Sequence, residues 1–146
     1  MKILIQNKKI GLDWRILETF QAGIELQGFE VKSLKNNHGS LASAQAIFSK
    51  GELWLIGVDI PPYQPNNAPP GYENQRNRRL LLNRKELNYL SGKLNEKGLY
   101  LIPSKIYLKN NLIKVELALC RRKQKTDRRE DIKKEISRRE MRNFKI

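Results

Sequence analysis

The chain contains a single cysteine, Cys120, and a single histidine, His38. One cysteine excludes an internal disulfide framework, and the pair offers no spacing typical of a zinc site or a Cys-His nucleophile. His38 stands between Asn37 and Gly39, which predicts an exposed turn, and Cys120 ends a predicted strand, where packing is its expected role. The sequence therefore predicts no resident metal, no cofactor and no catalytic residue.

Long apolar runs are also missing. No run approaches the roughly 20 residues that a membrane-spanning helix requires. The apolar start, residues 1–5, is too short for the hydrophobic region of a signal peptide. We expect a cytoplasmic protein that acts as a monomer and has no membrane partner.

Acidic residues are scarce relative to basic ones. The chain has 29 Lys and Arg against 15 Asp and Glu, a formal charge of +14, and half of that excess lies in the C-terminal tail, residues 121–146. Because phosphate neutralisation releases counterions and gives large, salt-sensitive affinity, this charge favours a nucleic acid as the partner.

The C-terminal tail has few large apolar side chains, so it cannot bury enough surface to offset its ordering entropy. We expect it to be disordered alone. Asp127 and Glu130 form a capping pattern, and favourable pairs four residues apart follow, which predicts a helix from about 128 to 142 that forms on a partner. A merely solubilising tail is the alternative.

Residues 1–120 have the composition of one globular domain. Hydrophobic periodicity and turn residues predict, in the first half, a strand at 14–26 with a bend or bulge at Gly23, a helix at 28–34, and a hairpin of 46–48 and 53–56 extending to 58–60. A long mobile loop at 61–78 follows. The second half is predicted to contain a strand at 79–82, a helix that starts after Asn83 and is capped by Gly98, and a hairpin of 99–108 and 112–119. The predicted fold class is all-β, a closed six-stranded antiparallel barrel of the oligonucleotide-binding type with inserted helices.

Two groups of side chains are candidates for binding a nucleic acid. Arg76, Arg78 and Arg79 end the proline-rich loop, where guanidinium groups could track phosphates, although a solvated basic face explains them equally well. Tyr63 and Tyr72 lie in the loop itself and are expected to be exposed, where they could stack on unpaired bases.

Two other functions stay open on residues alone. One is a nuclease that uses Glu18, Glu25 or Glu30 with a divalent cation, although no third acid or phosphate-binding loop supports it. The other is a general RNA-binding barrel of the ribosomal or initiation type, whose tail only adds affinity.

Four motifs occur in a specific order: NKK from position 7, AGIELQGFEVKSL from position 22, RLLLN from position 79 and KVELA from position 114. With the basic DRR at 127–129, they resemble the SsrA-binding protein (small protein B) family over about residues 7–135. The resemblance implies a barrel that binds the tRNA-like domain of transfer-messenger RNA. It also implies a tail that meets small-subunit ribosomal RNA at the decoding centre of a stalled ribosome and enters the empty mRNA channel, so that trans-translation tags the nascent peptide and rescues the ribosome.

Carried over by position, the resemblance places Asn7, Gln21 and Leu81 on the RNA face, and Lys8 adjoins Asn7. It assigns the ribosome-active tail to these residues: Arg122, Lys123, Lys125, Asp127, Arg128 and Arg129. The chain departs from the family at Gln21, where a glutamate is usual, and the amide keeps a hydrogen-bond acceptor but loses the charge. The tail also lacks the usual Gly-Lys-Lys and has Thr126 where a histidine often stands.

Overall fold

The computed structural model describes residues 1–64, 66, 68–124, 129–130 and 132–137. The strands are β1 (Lys2–Gln6), β2 (Trp14–Ile24), β3 (Gln45–Ser49), β4 (Glu52–Ile56), β5 (Arg78–Leu81), β6 (Leu99–Lys109) and β7 (Leu112–Arg122). The helices are α1 (Ile10–Asp13), α2 (Gly28–Lys35) and α3 (Arg84–Leu94).

Six antiparallel strands form a closed ring. Their order is β6-β3-β4-β5-β2-β7, and the ring closes because β7 pairs with both β2 and β6. β1 is a seventh strand that pairs with β6. The predicted six-stranded antiparallel fold with inserted helices is confirmed. The prediction omitted β1, because its sequence KILIQ is a short apolar run rather than an alternating pattern.

The ring encloses the hydrophobic core. Leu55, Ile106, Val115 and Leu117 are fully buried inside it. α3 begins at the predicted position, where the Asn83 Oδ1 atom accepts a hydrogen bond of 2.8 Å from the backbone N–H of Glu86. Burying a leucine side chain stabilises a fold by about 1.5–3 kcal/mol, so the core residues fix how the strands face.

Both predicted hairpins are confirmed, and their turns explain their register. Lys50 and Gly51 connect β3 to β4 with φ values of 53° and 77°. Asn110 and Asn111 connect β6 to β7 with φ values of 52° and 63°. Two successive left-handed residues make the type of turn whose twist matches paired strands, and asparagine and glycine adopt it readily.

Three local predictions were wrong. Gly23 is not the bulge: the irregularity in the β2–β7 ladder lies between Ile16 and Glu18, and Gly23 is where β2 passes from β7 to β5. Residues 58–60 do not extend β4; they contribute one isolated bridge, from Asp59 to Ser40. α3 ends before Gly98, at the C-cap Asn95. Only contacts distant in sequence decide these points.

The expected domain boundary at residue 120 falls inside β7. Arg121 pairs with Arg15 and Leu99 on either side, and the backbone N–H of Lys123 donates to the carbonyl oxygen of Asp13 at 2.9 Å. The ring therefore includes the first two residues of the C-terminal tail, and a backbone hydrogen bond attaches the third to α1. Residues 129, 130 and 132–137 are helical, inside the predicted range of 128–142. None of the described helices is long and apolar enough to cross a membrane.

Candidate nucleic-acid interface

A row of side chains crosses β6, β7, β2 and β5 on the outer surface of the ring, and Asn7, which follows β1, adjoins its β6 end; we name this set the transverse band. It comprises Asn7, Lys105, Glu116, Gln21 and Leu81. The register sets the row: Lys105 lies opposite Glu116, Glu116 opposite Gln21, and Leu81 opposite Gly23, two residues beyond Gln21. Residues two apart on a strand share a face. Gln21 and Leu81, two of the three positions carried over from the family, therefore share one outward face, and Asn7 adjoins the β6 end of that row through its backbone bond to Ser104.

Asn7 is fixed at one end of the transverse band by an irregularity in β6. Pro103 lacks a backbone N–H, and the β6–β7 register shifts just after it, between Pro103 and Lys105. The Asn7 N–H donates to the Ser104 carbonyl at 2.8 Å, and its Nδ2 donates to the Pro103 carbonyl at 3.3 Å. These bonds orient the amide and leave its Oδ1 as an acceptor.

The middle of the transverse band is a paired charge beside a neutral amide. Lys105 Nζ lies 3.0 Å from the Oε2 of Glu116, and both side chains are about one quarter exposed. Gln21 is directly opposite Glu116 and exposed. A glutamate at position 21 would put two carboxylates opposite each other, and like charges so placed destabilise a sheet. The amide at Gln21 avoids that repulsion.

An exposed leucine closes the other end of the transverse band. The side chain of Leu81 is 45% exposed. It lies over Gly23, where an added Cβ would stand 3.3 Å from the Cβ of Leu81. The glycine therefore gives the leucine room to lie flat on the sheet, and a flat apolar surface flanked by polar groups suits contact with a ribose or a base face.

Arg79 is the one arginine of the 76–79 run that reaches the outer surface. It has the same strand parity as Leu81, and its side chain is 42% exposed. Its guanidinium lies 3.5 Å from Glu25 and 3.2 Å from Glu52. Exposed ion pairs of this kind contribute roughly 0–1 kcal/mol, so phosphate oxygens could replace the carboxylates at little cost.

Arg78 is not available for RNA, which corrects the sequence-based prediction, and Arg76 is only 27% exposed and bound to a carboxylate. Arg78 is completely buried, and its Nε and Nη2 donate to the Oε2 of Glu30 at 2.8 and 2.6 Å. Arg76 also pairs with Glu30, through both carboxylate oxygens. Glu30 itself is fully buried at the start of α2. A buried carboxylate requires such partners, since an unpaired buried charge is costly.

Tyr72 belongs to the same cluster, whereas it was expected to be exposed. Its hydroxyl oxygen lies 2.7 Å from the Ile60 carbonyl oxygen and 3.0 Å from Glu30 Oε2, so its single proton is shared between these two acceptors. The predicted mobile loop is therefore anchored at several points, because Arg78 also binds the Asn74 carbonyl at 3.0 Å. Tyr63, by contrast, is exposed as predicted.

The protonation behaviour of this cluster follows from its contacts. Burial would raise the pKa of Glu30, but hydrogen bonds from Arg76, the Gln27 N–H and Arg78 outweigh it and hold the pKa below its ordinary value. Burial and the hydrogen bond to Glu30 raise the pKa of the Tyr72 hydroxyl to about 12. Glu30 therefore stays ionised and Tyr72 stays protonated near neutral pH.

A second aromatic and basic group lies at the end of the β2–β7 ladder. The rings of Trp14 and Tyr100 are 5.2 Å apart, and the guanidinium of Arg122 lies 5.5 Å from the Trp14 ring centroid. Arg15 and Arg121 are directly opposite each other, and both are exposed. This concentration of like charge marks the point where the C-terminal tail leaves the ring.

The structure describes part of the predicted ribosome-active tail. Arg122 is the last residue of β7, and Lys123 is attached to the ring through its backbone. Arg129 is helical and exposed. Lys125, Asp127 and Arg128 lie outside the described residues.

The groups considered for catalysis are dispersed or buried. Glu18 accepts hydrogen bonds from Tyr89, Glu25 pairs with Arg79, and Glu30 is in its buried cluster. In the described part of the chain, no three His, Cys, Asp or Glu side chains lie together as a candidate metal site. Burial raises the pKa of the Cys120 thiol to about 12, as expected for a packing role, and His38 is in an exposed turn.

Sequence reasoning missed Lys105 and Glu116 as parts of the outer face. A proline inside a strand pattern is the signal for the β6 bulge, and the alternation in β7 marks Glu116 as outward. Nothing local to residues 76–79 shows that Arg78 pairs with a carboxylate 48 positions earlier.

A closed antiparallel ring with a polar transverse band and a basic C-terminal segment defines a small β-domain protein with an extended basic tail. The family model described as SmpB protein matches residues 4–145. The chain belongs to the SmpB protein family.

Individual relatives agree with this membership. The SsrA-binding protein of Thermosipho melanesiensis is 48% identical over 141 residues, covering 95% of each chain. That of Geobacillus thermodenitrificans is 42% identical over 140 residues, covering 96% of this chain and 90% of the relative. A solved structure described as "tmRNA-SmpB: a journey to the center of the bacterial ribosome" is 40% identical, has a TM-score of 0.70, and covers 86% of this chain and 87% of its own.

Proposed function

We propose that this protein binds transfer-messenger RNA, the SsrA RNA, through the outer face of its ring and delivers it to stalled ribosomes for trans-translation. It works in the cytoplasm as a binding protein, and it makes or breaks no bond itself. The observation that supports the proposal is the transverse band: Gln21 and Leu81 share one outward face, and Asn7 adjoins its β6 end, on a member of a family whose relatives are SsrA-binding proteins.

The transverse band has the groups that fix a folded RNA in one orientation. Asn7 and Gln21 supply amides that both donate and accept hydrogen bonds, and Leu81 supplies an apolar contact. Lys8, exposed beside Asn7, and Arg79, exposed beyond Leu81, supply cations at the two ends. Polar groups between two cations favour a folded RNA backbone over a small acidic ligand.

The C-terminal tail performs the ribosomal part of the function. Its charge would place it along ribosomal RNA at the decoding centre and in the vacant mRNA channel. The helix that residues 129–130 and 132–137 adopt is short and exposed, so it would gain stability by docking there. Arg122, Lys123 and Arg129 are the described residues that we assign to this role, and Lys125, Asp127 and Arg128 complete the assignment.

Selective binding by a ring without its tail tests the proposal. The truncation should end at Gln124, because a cut at residue 120 would remove the last two residues of β7 and the bond from Lys123 to Asp13. The full chain and the 1–124 protein are titrated with the tRNA-like domain of transfer-messenger RNA, with ordinary tRNA as competitor at near-physiological salt. Peptide tagging on stalled ribosomes is assayed in parallel.

We expect both proteins to bind selectively and only the full chain to support tagging. A ring that binds both RNAs equally would refute the proposal and favour a general RNA-binding barrel. A tail-less protein that tags as well as the full chain would refute the role given to the C-terminal tail. A triple variant with Ala at positions 7, 21 and 81 should lose selectivity while keeping its unfolding midpoint, since these side chains lie outside the core.

A further inference from the structure

A cavity of about 490 Å³ adjoins the Asn7 end of the transverse band. It lies between the turn that joins β1 to α1 and the segment 39–45 that precedes and enters β3. Sites for small molecules commonly occupy about 300–1,000 Å³, so this space suits one nucleotide and is far too small for a duplex. Among the residues that the family resemblance assigns to RNA or the ribosome, Asn7, its neighbour Lys8 and Arg122 line this cavity.

The walls of the cavity combine three kinds of surface. Trp14 and Ile102 contribute apolar surface on one side, and small residues contribute the other, among them Ala42 and Ser43. Small side chains leave the space open, and an indole is a face on which a base can stack. A nucleobase has two apolar faces, so this part of the lining fits its plane.

Polar groups line the remaining surface. Gln45 is half-buried, and within the described part of the chain its amide makes no hydrogen bond, so two donors and one acceptor are available. Asn7 is held by its Nδ2 and keeps its Oδ1. Amides of this kind match the donor and acceptor edges of a base. The edges of a paired base are already occupied, so the lining favours an unpaired one.

The charge of the cavity also fits a nucleotide. Lys8, Lys9 and Arg122 line it together with a single carboxylate, Asp13. An excess of cations at the mouth of an apolar and amide-lined space attracts a phosphate while the base is inside.

We propose that this cavity takes up one unpaired nucleobase of the bound RNA and so contributes to selectivity for transfer-messenger RNA over other folded RNAs. The inference rests on the proposed function. An unpaired base loses little stacking energy when it turns outward into the cavity. The contact therefore favours an RNA whose unpaired base reaches the cavity while the rest of the RNA binds the transverse band.

Filling the cavity tests the proposal. Ala42 is exposed and lines the space, so Ala42→Phe places a ring in the cavity without entering the core. Ser49→Phe is the matched control, since Ser49 is an exposed small residue at the far end of β3 and does not line the cavity. The tRNA-like domain is prepared with 2-aminopurine at each unpaired loop position in turn, and the full-length proteins are titrated against each RNA.

We expect one position to change its fluorescence when the wild-type protein binds and to lose that change with Ala42→Phe. Binding should weaken roughly tenfold in Ala42→Phe and stay unchanged in Ser49→Phe, because one base contact accounts for about that factor. Suppose that the wild-type protein binds selectively, and that Ala42→Phe binds equally well and gives the same fluorescence as the wild type at every labelled position. That result overturns the cavity proposal alone. Wild-type binding that shows no preference over tRNA overturns the proposed function and this inference together.

A second variant covers the case in which Ala42→Phe does not fold. Gln45→Ala removes only the amide from the cavity, and it should weaken binding several-fold and reduce the fluorescence change at the same RNA position. If Gln45→Ala binds like the wild type and the fluorescence response persists, the base does not contact this amide and the proposal is wrong.

Discussion

Arg78 and Arg79 are neighbours in sequence, yet one is fully buried in the Glu30 cluster and the other is exposed beside the transverse band. Strand parity separates them, since consecutive side chains on β5 point to opposite faces. Arg78 faces inward and meets a carboxylate, three backbone carbonyls and a tyrosine hydroxyl. Arg79 faces outward and meets only two exposed carboxylates.

The difference shows how one residue type serves both the fold and the surface. A buried guanidinium with fixed partners holds the loop against α2, and its cost of desolvation makes the whole set interdependent. An exposed guanidinium in weak ion pairs contributes little to stability and is available to a polyanion. The net positive charge of the chain is therefore an upper limit on the positive charge that a partner can contact, because the charge of Arg78 is buried.

The largest effect should come from removing the central carboxylate of the buried cluster. Glu30→Gln leaves two guanidiniums without their counter-charge, and we expect it to lower the free energy of unfolding by about 3–5 kcal/mol. Glu25→Gln is the matched control on the outer surface and should cost at most about 1 kcal/mol. Urea unfolding of the three proteins checks both values. Equal losses would mean that the buried and exposed arginines are energetically alike.

Acid should remove the same stabilisation. Since the folded pKa of Glu30 lies below its ordinary 4.5, its contribution is fully present above about pH 5 and is lost as the pH falls through the lowered pKa. The difference in unfolding free energy between the wild type and Glu30→Gln should therefore be constant from pH 7 to about pH 5 and should narrow below that. If Glu30→Gln does not fold, the acid transition of Tyr72→Phe, which loses one bond to Glu30, replaces it.

A difference in unfolding free energy that stays constant below pH 5, as the pH falls through the lowered pKa of Glu30, would contradict the assignment. It would show that Glu30 carries no charge in the folded protein, or that the unfolded chain holds an equally perturbed carboxylate.

The exposed arginine should affect RNA binding and leave folding unchanged. Arg79→Ala removes one proposed phosphate contact, so the slope of log affinity against log salt should decrease in magnitude by about 0.7–0.9. Its urea midpoint should stay near that of the wild type. Fluorescence anisotropy with the tRNA-like domain at four salt concentrations measures the slope. Lys50→Ala, in the β3–β4 turn, is a control that removes an exposed charge far from the band in sequence. An unchanged slope in Arg79→Ala would remove Arg79 from the interface.

Much of the ring followed from the sequence because its signals are local. Alternation predicts the strands of the second hairpin, Asn83 and Glu86 mark the start of α3, and the left-handed turn residues fix both hairpins. Motifs carried over from the family also predicted Asn7, Gln21 and Leu81 for the RNA face. The register places Gln21 and Leu81 on one outward face, and the role of all three in binding RNA stays a prediction.

The features that the sequence did not predict depend on pairing over long distances. β1 exists because β6 is 11 residues long and offers it an edge, and the end of the ring at Arg122 depends on β2. The burial of Arg78 depends on Glu30. A run of arginines predicts a solvated basic face unless the acidic partner of each arginine is known. Composition overestimates surface charge in such cases.

The smallest expected effect on stability comes from an exposed residue, Gln21, at the middle of the transverse band. Gln21→Glu would place a carboxylate opposite Glu116, and we expect it to cost about 0.2–1 kcal/mol at neutral pH. Thr19→Glu adds the same charge on the same face of β2 but opposite Ala118, so it should cost less. Thermal unfolding of the two variants and the wild type at neutral pH measures the difference. Equal stability of the two variants would mean that Lys105 neutralises both carboxylates, and that the family's usual glutamate is tolerated here without a change in the opposite strand.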